Sequence, residues 1–272
     1  MPVFGGDNPD SYYDEGLTAS MRGDLARAIE YFEKCIRMDS TYSSAYHQLG
    51  KVYHRLGNSQ KAVTFLSQVV SVKPGQVPPR VDLGYAHLSQ GNTEKARDLF
   101  RMVCIDKPGH ARAMLGLAHC AYQSGDREAA VTIAQDQANT GGATFGTFYL
   151  LARAAGECGR EELVPEAIKR ADALIEKSIE GAPDQPEGYY LRGLLQDLLG
   201  DLGKALECYG QAVERALPDK HYAAYEEHFS LVDMLGRLGQ MQLKAGNETA
   251  AAATFARLRE LAPESGYLPK LS

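Results

Sequence analysis

The sequence repeats itself at a fixed interval of 34 residues, and this period limits what the chain can fold into. In each repeat a small residue is followed seven positions later by Gly, and that Gly is followed five positions later by Ala. The matches are Gly16, Gly23 and Ala28; Gly50, Gly57 and Ala62; Gly84, Gly91 and Ala96; and Ala118, Gly125 and Ala130. A single unit of this length cannot bury its apolar side alone, so the period predicts stacked copies of one supersecondary unit.

Each unit has the pattern of two amphipathic helices. In residues 43–76, one helical face is formed by Tyr46, Leu49, Gly50 and Tyr53, and a second by Ala62, Phe65, Leu66 and Val69. Apolar residues at this spacing share one side of an α-helix. Gly57 is a typical end for the first helix, and Pro74 for the second. The pattern therefore predicts an all-α chain of helix–turn–helix units.

The same positions resemble the tetratricopeptide repeat (TPR), a helix–turn–helix unit with this period. The clearest matches are Tyr46, Leu49, Gly50, Tyr53, Gly57, Ala62, Leu66, Val69 and Pro74 in residues 43–76, and Leu83, Gly84, Gly91, Ala96, Phe100, Val103 and Pro108 in residues 77–110. The resemblance implies an all-α, right-handed superhelical solenoid of about seven helix–turn–helix (TPR) repeats. It also implies that the first helix of each pair lines a concave groove.

The repeat pattern also divides the chain. We expect an N-terminal extension at residues 1–8, a TPR solenoid at 9–264 and a C-terminal tail at 265–272. The units are placed near 9–42, 43–76, 77–110, 111–144, 145–185, 186–219 and 220–264. Two irregularities occur in the second half: a second helix at 161–180 that is about seven residues too long, or about two turns, and a lengthened helix at 221–244 that contains Gly239.

Composition excludes several classes of protein. The net charge of −6 argues against general binding to nucleic acid, which needs a basic surface. The sequence has no apolar run of the ~20 residues that a membrane helix requires, so no membrane insertion is expected. The first residues lack a basic segment and an apolar segment, so no signal peptide is expected at this start. The five cysteines are widely spaced, which is typical of a reducing compartment. Together these features predict a cytoplasmic protein.

No catalytic motif stands out. The chain contains no GxxxxGK[ST], GxGxxG, GxSxG or HExxH sequence. The glycines at 141–146 indicate a turn at a repeat junction rather than a phosphate loop, and Cys35 and Cys120 occupy inward repeat positions typical of packed core thiols. His221 and His228 lack the further ligands that a metal site needs. We therefore predict no enzymatic activity, no cofactor and no bound metal.

The sequence predicts that a partner protein binds in the concave groove. Side chains at the second, fifth, sixth, ninth, twelfth and thirteenth positions of a unit are expected to face it. The candidates for binding a partner are Tyr13, His47, Lys51, His54, Tyr85, Arg112, His119, Tyr122, Tyr149, Arg153 and Tyr190. Tyr rings give contact area at low entropic cost, and Lys or Arg pairs with carboxylates. The alternative is that these are ordinary exposed helix residues. Some family members hold a C-terminal carboxylate with a Lys and an Asn on the first repeat, but Tyr13 and Leu17 stand at those positions here.

The function predicted from these observations is a non-enzymatic protein–protein interaction scaffold. It binds an extended or helical peptide segment of a partner in its concave groove, and the partner's segment carries acidic groups. Two alternatives stay open. One is a self-assembling structural protein that associates through its terminal repeats. This alternative includes a weak homo-oligomer formed through the Ala-rich segment at 250–256. The other is a substrate-recognition subunit of an enzyme complex.

Overall fold

The structure, a computed structural model, describes residues 8–224 and 227–269. This part of the chain forms fourteen α-helices, one 3-10 turn and one two-stranded hairpin. The helices are α1 (Pro9–Met21), α2 (Leu25–Met38), α3 (Ser43–Arg55), α4 (Ser59–Val72), α5 (Val77–Ser89), α6 (Thr93–Asp106), α7 (Ala111–Gln123), α8 (Arg127–Asn139), α9 (Phe145–Glu157), α10 (Val164–Gly181), α11 (Glu187–Leu198), α12 (Leu202–Arg215), α13 (Leu231–Lys244) and α14 (Glu248–Leu261). The strands are β1 (His221–Ala224) and β2 (Glu227–Ser230). The helices follow one another in pairs, so the predicted all-α solenoid of paired helices is confirmed. The predicted extension at 1–8 falls almost wholly outside the described residues, as do 270–272 of the predicted tail.

The chain forms two compact units. Unit 1 contains the residues up to Ala143 together with Glu157–Gly159. Unit 2 contains Thr144–Gly156 and the residues from Arg160 onward. Unit 1 thus holds the four helix pairs of regular period, and unit 2 holds the irregular later pairs.

The turn inside each pair explains the recurring Gly. Gly57 has a φ of +73°, a left-handed conformation that glycine adopts without strain. The next residue, Asn58, caps α4, because its side-chain oxygen accepts a hydrogen bond from the backbone N–H of Lys61 at 3.1 Å. The Gly-Asn or Gly-Asp dipeptide therefore ends one helix and begins the next.

The small residue at the eighth position of a unit allows the two helices of a pair to approach closely. A Cβ built on Gly84 would lie 2.6 Å from the ring of fully buried Phe100, and one built on Gly193 would lie 2.5 Å from the ring of Tyr209. Gly239 stands in the same relation to Phe255, at 2.7 Å. These large side chains of the second helices fill the space that the glycines leave.

The first irregularity is smaller than the sequence predicts. A 3-10 turn occupies Glu161–Leu163, and α10 itself begins only at Val164 and has 18 residues against 13 or 14 in most other helices. Pro165 lies in the first turn of α10, where its missing N–H leaves no hydrogen bond unmade. The prediction of one continuous helix from residue 161 is therefore wrong at its start.

The second irregularity is not a helix at all. The predicted helix at 221–244 is wrong at His221–Ala224 and Glu227–Ser230, which form the antiparallel strands β1 and β2, and residues 225–226 of the prediction lie outside the described residues. Tyr222 lies opposite Phe229 in the register, and both side chains are buried. α13 begins only after Ser230, which forms a reciprocal capping box with Asp233. The extra residues of this repeat thus lie between two helices rather than inside one.

Candidate functional site

The first helices of unit 1 are joined by polar contacts between successive pairs. Arg55 of α3 donates from Nη1 to the carbonyl oxygen of Ser20 in α1 at 3.1 Å. Tyr42, just before α3, donates its hydroxyl to Asp10 of α1 at 2.8 Å. We call the side chains that α1, α3, α5 and α7 present along this row the first-helix face of unit 1.

An ion-pair network lies at the centre of this face. Asp82 of α5 accepts from Nε2 of His47 in α3 at 2.7 Å, and its other oxygen lies 2.9 Å from Nη2 of Arg112 in α7. The side chain of Asp82 is 10% exposed, against 17% for His47 and 36% for Arg112. Burial alone would raise the pKa of Asp82, but the hydrogen bond from His47 and the charge of Arg112 outweigh it, so the pKa is lowered. Three successive repeats are therefore held together by one ionised carboxylate.

Two further predicted residues belong to the same arrangement. Tyr85 donates its hydroxyl to the backbone carbonyl of Arg112 at 2.8 Å, and the guanidinium of Arg112 lies over the Tyr85 ring at 5.4 Å. Ser89 donates to the carbonyl of Tyr85 at 3.1 Å, so its oxygen is left to accept from Nε2 of His54 at 3.0 Å. Burial lowers the pKa of His54, which favours the neutral ring.

Both ends of the face are also ordered by contacts. The ring of Tyr13 packs against Tyr42 and Phe32, with centroids 5.2 Å and 5.8 Å away. At the other end Tyr122 hydrogen-bonds to Glu157, which also lies 2.5 Å from Nε of Arg127. The guanidinium of Arg127 covers the Tyr122 ring at 3.9 Å. These contacts hold the rings of Tyr13 and Tyr122 in fixed positions while leaving both half-buried.

The predicted binding residues divide between the two units and differ in exposure. Unit 1 contains Tyr13, His47, Lys51, His54, Tyr85, Arg112, His119 and Tyr122, and unit 2 contains Tyr149, Arg153 and Tyr190. Lys51 and Arg153 are exposed, and all the others except Tyr190 are half-buried. The ring of Tyr190 is only 5% exposed, because Phe229 of the hairpin stacks on it with centroids 4.2 Å apart. The groove-facing position of Tyr190 is therefore covered by the hairpin, and its role in binding a partner stays a prediction.

Unit 2 contains a cluster that the sequence analysis missed. The charge of Arg237 in α13 acts on the hydroxyls of Tyr149, Tyr190, Tyr209 and Tyr267, and Tyr267 donates its hydroxyl to Asp233 at 3.4 Å. We call Arg237 and these four tyrosines the Arg237 cluster. The signal for it was present: Gly239 packs on Phe255 as an eighth position does, which places Arg237 at the sixth, groove-facing position. The predicted unit starts at residue 220, but the hairpin adds residues before α13. Groove-facing positions counted from residue 220 therefore do not fall on Arg237.

The described residues provide little for other chemistry. Within 8–224 and 227–269, no three His, Cys, Asp or Glu side chains are grouped so that they would hold a metal ion. No helix in that part of the chain is both long and apolar enough to cross a bilayer. Burial raises the pKa of the Cys35 and Cys120 thiols to about 11 each, so these thiols are not activated nucleophiles.

Comparison with known proteins identifies the family. Models described as tetratricopeptide repeat match residues 9–42, 31–64, 87–141, 186–218 and 237–265. The chain belongs to the tetratricopeptide repeat family, and the resemblance noted in the sequence is confirmed. This fold points to a protein–protein interaction scaffold. No curated protein matches the sequence of this chain.

Solved structures show the same fold at low sequence identity. A tetratricopeptide repeat protein from Parabacteroides merdae aligns with a TM-score of 0.55 at 15% identity, covering 94% of each chain. The APC/C hetero-tetramer Cut9–Hcn1 gives a TM-score of 0.58 at 16% identity, covering 94% of this chain but 47% of that one. This chain thus spans about half of that relative. PilW, a type IV pilus biogenesis factor, gives a TM-score of 0.51 at 17% identity, covering 84% of this chain and 97% of that one.

Proposed function

We propose that the protein is a non-enzymatic scaffold that binds an extended or helical peptide segment of a partner protein along the first helices of its repeats. The observation that carries this proposal is the ordered row of half-buried polar and aromatic side chains on the first-helix face of unit 1. A binding surface whose side chains are already fixed loses less conformational entropy when a partner binds. Tyr and Arg are also the residue types enriched where partner proteins make their strongest contacts.

The charges on this face favour a partner segment with acidic groups. Asp82 already neutralises Arg112, so this pair adds little net charge to the face. Lys51 is exposed on the same helix as His47, one turn away. Lys51 is therefore the cation of this face best placed to pair with a carboxylate of the partner.

Charge reversal at Lys51 tests the proposal. We expect Lys51→Glu to lower the recovery of partner proteins in affinity capture from native lysate by about fivefold, because a carboxylate pair is replaced by a repulsion. Arg101→Glu is the matched control, since Arg101 is an exposed cation in α6, a second helix of the same unit. Arg112 is left unchanged, because reversing its charge would place two acids together and disturb the fold.

The outcomes separate a specific face from general electrostatic attraction. Loss of capture with Lys51→Glu and normal capture with Arg101→Glu support the proposal. Equal loss with both variants, or no loss with Lys51→Glu in a chain whose circular dichroism is unchanged, contradicts it.

A further inference from the structure

The segment that follows α14 folds back onto α13. Gly239 packs on Phe255 as an eighth position does. Counted from it, Asp233 and Gly236 are the second and fifth positions of the last repeat, which are expected to face the groove. The ring of Tyr267 lies directly against Gly236, since a Cβ built there would overlap the ring. The hydroxyl of Tyr267 donates to Oδ1 of Asp233 at 3.4 Å. The chain itself therefore occupies two groove-facing positions of its last repeat.

The first repeat holds a tyrosine at the equivalent place. Tyr42 donates its hydroxyl to Asp10 at 2.8 Å, and its ring packs against Tyr13 with centroids 5.2 Å apart. Asp10 and Tyr13 are the second and fifth positions of that repeat. The first helix of a repeat thus accepts a tyrosine ring at its fifth position and the tyrosine hydroxyl at its second.

The two tyrosines differ in how the chain holds them. Tyr42 leads directly into α3, so a packed helix fixes its position. Residues 262–269, which we call the tail segment, form no helix. Their backbone hydrogen bonds are local: Ser265 donates to Ala262 at 3.0 Å, and Leu268 donates to Ser265 at 3.1 Å. The tail segment is therefore held on α13 through the side chain of Tyr267.

We propose that this place on α13 is a docking site for a tyrosine side chain of a partner's segment, and that the tail segment occupies it until a partner displaces it. The inference rests on the proposed function and adds to it the side chain that the last repeat recognises.

The residues of the site explain why it takes a tyrosine. Gly236 has no side chain, so a ring can lie against the helix backbone and bury a large apolar area. Asp233 uses Oδ2 for the capping box with Ser230, and this fixes its Oδ1 toward the hydroxyl of the ring. A carboxylate oxygen only accepts, so it favours a ring that carries a hydroxyl donor.

The tail segment competes with a partner because it is tethered to α14. A short flexible tether gives an effective concentration of about 1 mM. For a segment that binds the free site with a Kd of about 0.1 mM, the tethered tail lowers the apparent affinity about tenfold. Removing the tethered ring should therefore strengthen binding of a free segment.

A peptide with the sequence of residues 262–269 is the probe, labelled with fluorescein and amidated at its C-terminus. The same peptide with Ala in place of Tyr is its control. Fluorescence anisotropy measures binding to the unchanged chain and to three full-length variants. Tyr267→Ala removes the ring from the site, and Tyr267→Ala/Gly236→Ala also places a methyl group where the ring lies. Tyr267→Ala/Gly210→Ala is the matched control, since a Cβ on Gly210 of α12 would meet no packed neighbour among the described residues within 4 Å.

We expect Tyr267→Ala to bind the probe about tenfold more tightly than the unchanged chain does. The variant with Gly210→Ala should bind as tightly as Tyr267→Ala. The variant with Gly236→Ala should bind at least about tenfold more weakly, because its methyl group takes the space of the ring. The peptide without Tyr should bind none of the chains measurably.

Several results overturn the inference. They are equal binding of the probe to the unchanged chain and to Tyr267→Ala, no binding to either, and undiminished binding to the variant with Gly236→Ala. A dimer that Tyr267→Ala converts to a monomer in light scattering would show that the tail of a second copy fills the site, and overturns it too. If Tyr267→Ala does not fold, the unchanged chain and Gly236→Ala are titrated to about 1 mM, where the first must bind the probe and the second must not.

The proposed function is judged separately, by partner capture with Lys51→Glu. If capture depends on Lys51 while the probe does not bind, the scaffold stands and the tyrosine site falls. If the probe binds as expected while capture ignores Lys51, the site stands and the binding mode proposed for unit 1 falls.

Discussion

The first helices of the two units come from the same kind of repeat, but their arginine side chains have different partners. In unit 1 the cation Arg112 and the ring of His47 share the carboxylate of Asp82, so charges are balanced across three repeats. In unit 2 none of the described carboxylates forms an ion pair with Arg237, although Asp233 accepts from the nearby hydroxyl of Tyr267 at 3.4 Å, and Phe229 of the hairpin covers Tyr190. The difference indicates that unit 1 presents a surface ordered by an ion-pair network, whereas unit 2 places an arginine that pairs with none of the described carboxylates beside a covered aromatic ring.

The largest expected change in the free energy of unfolding comes from substituting Phe229 in the hairpin. Phe229 is buried between Tyr190 and Tyr222, so we expect Phe229→Ala to lower the free energy of unfolding by about 3 kcal/mol. Urea unfolding followed by circular dichroism measures the change. Ala223→Ser, at an exposed hairpin position, is expected to stay within about 0.5 kcal/mol. A near-neutral Phe229→Ala would mean that the hairpin does not stabilise unit 2.

Removing the carboxylate of Asp82 is expected to cause the next largest loss of stability. Asp82→Ala leaves Arg112 and His47 without their acceptor on a partly buried face, and we expect a loss of about 2 kcal/mol. Asp98→Ala, an exposed acid of α6, serves as the control with an expected change below about 0.5 kcal/mol. Equal effects of the two substitutions in the same unfolding assay would show that the network contributes nothing specific.

The same carboxylate predicts how stability depends on pH. The pKa of Asp82 is lower in the folded chain than its ordinary value of 3.8, so the unfolded chain binds more protons there. The stability that Asp82 contributes is therefore present above the unfolded value and is lost as the pH falls through the folded pKa. Unfolding curves at about pH 5 and about pH 2 should differ less for Asp82→Asn than for the unchanged chain. An identical loss in both chains would contradict the ionised network.

Arg237 gives the smallest expected change in stability. Because no described carboxylate depends on it, we expect Arg237→Met to leave the free energy of unfolding unchanged or raise it by up to about 1 kcal/mol. Arg112→Met, which strips Asp82 of a partner, is the matched comparison and is expected to destabilise the chain. If Arg237→Met were the more harmful of the two in thermal unfolding, the proposed contrast between the units would be wrong.

The sequence predicts the repeat fold well because its signal lies in local spacing. Gly57, Asn58 and Pro74 fix where helices end, and the eighth-position glycines fix how closely the helices pack. Each of these depends on neighbours a few residues away or on one facing side chain, so a period of 34 residues reveals them directly.

The site was less predictable because it depends on contacts between repeats. Position alone predicted Arg112 as a groove-facing candidate for binding a partner, but only the fold brings Asp82 to 2.9 Å from it. Tyr190 was expected to be open, and the hairpin that covers it was hidden inside an insertion that preserved no repeat spacing. The capping signal at Ser230 and Asp233 marks the true start of α13 and would have revealed that insertion.

Site-specific photo-crosslinking to a captured partner tests the central claim most directly. A photoreactive amino acid is placed at Lys51 or Arg153, both exposed on first helices, or at Arg101 or Arg257, both exposed on second helices. The account predicts that the partner's peptide crosslinks from positions 51 and 153 and not from 101 and 257. Crosslinks that arise mainly from positions 101 and 257 would show that the partner binds the second helices, and would contradict it.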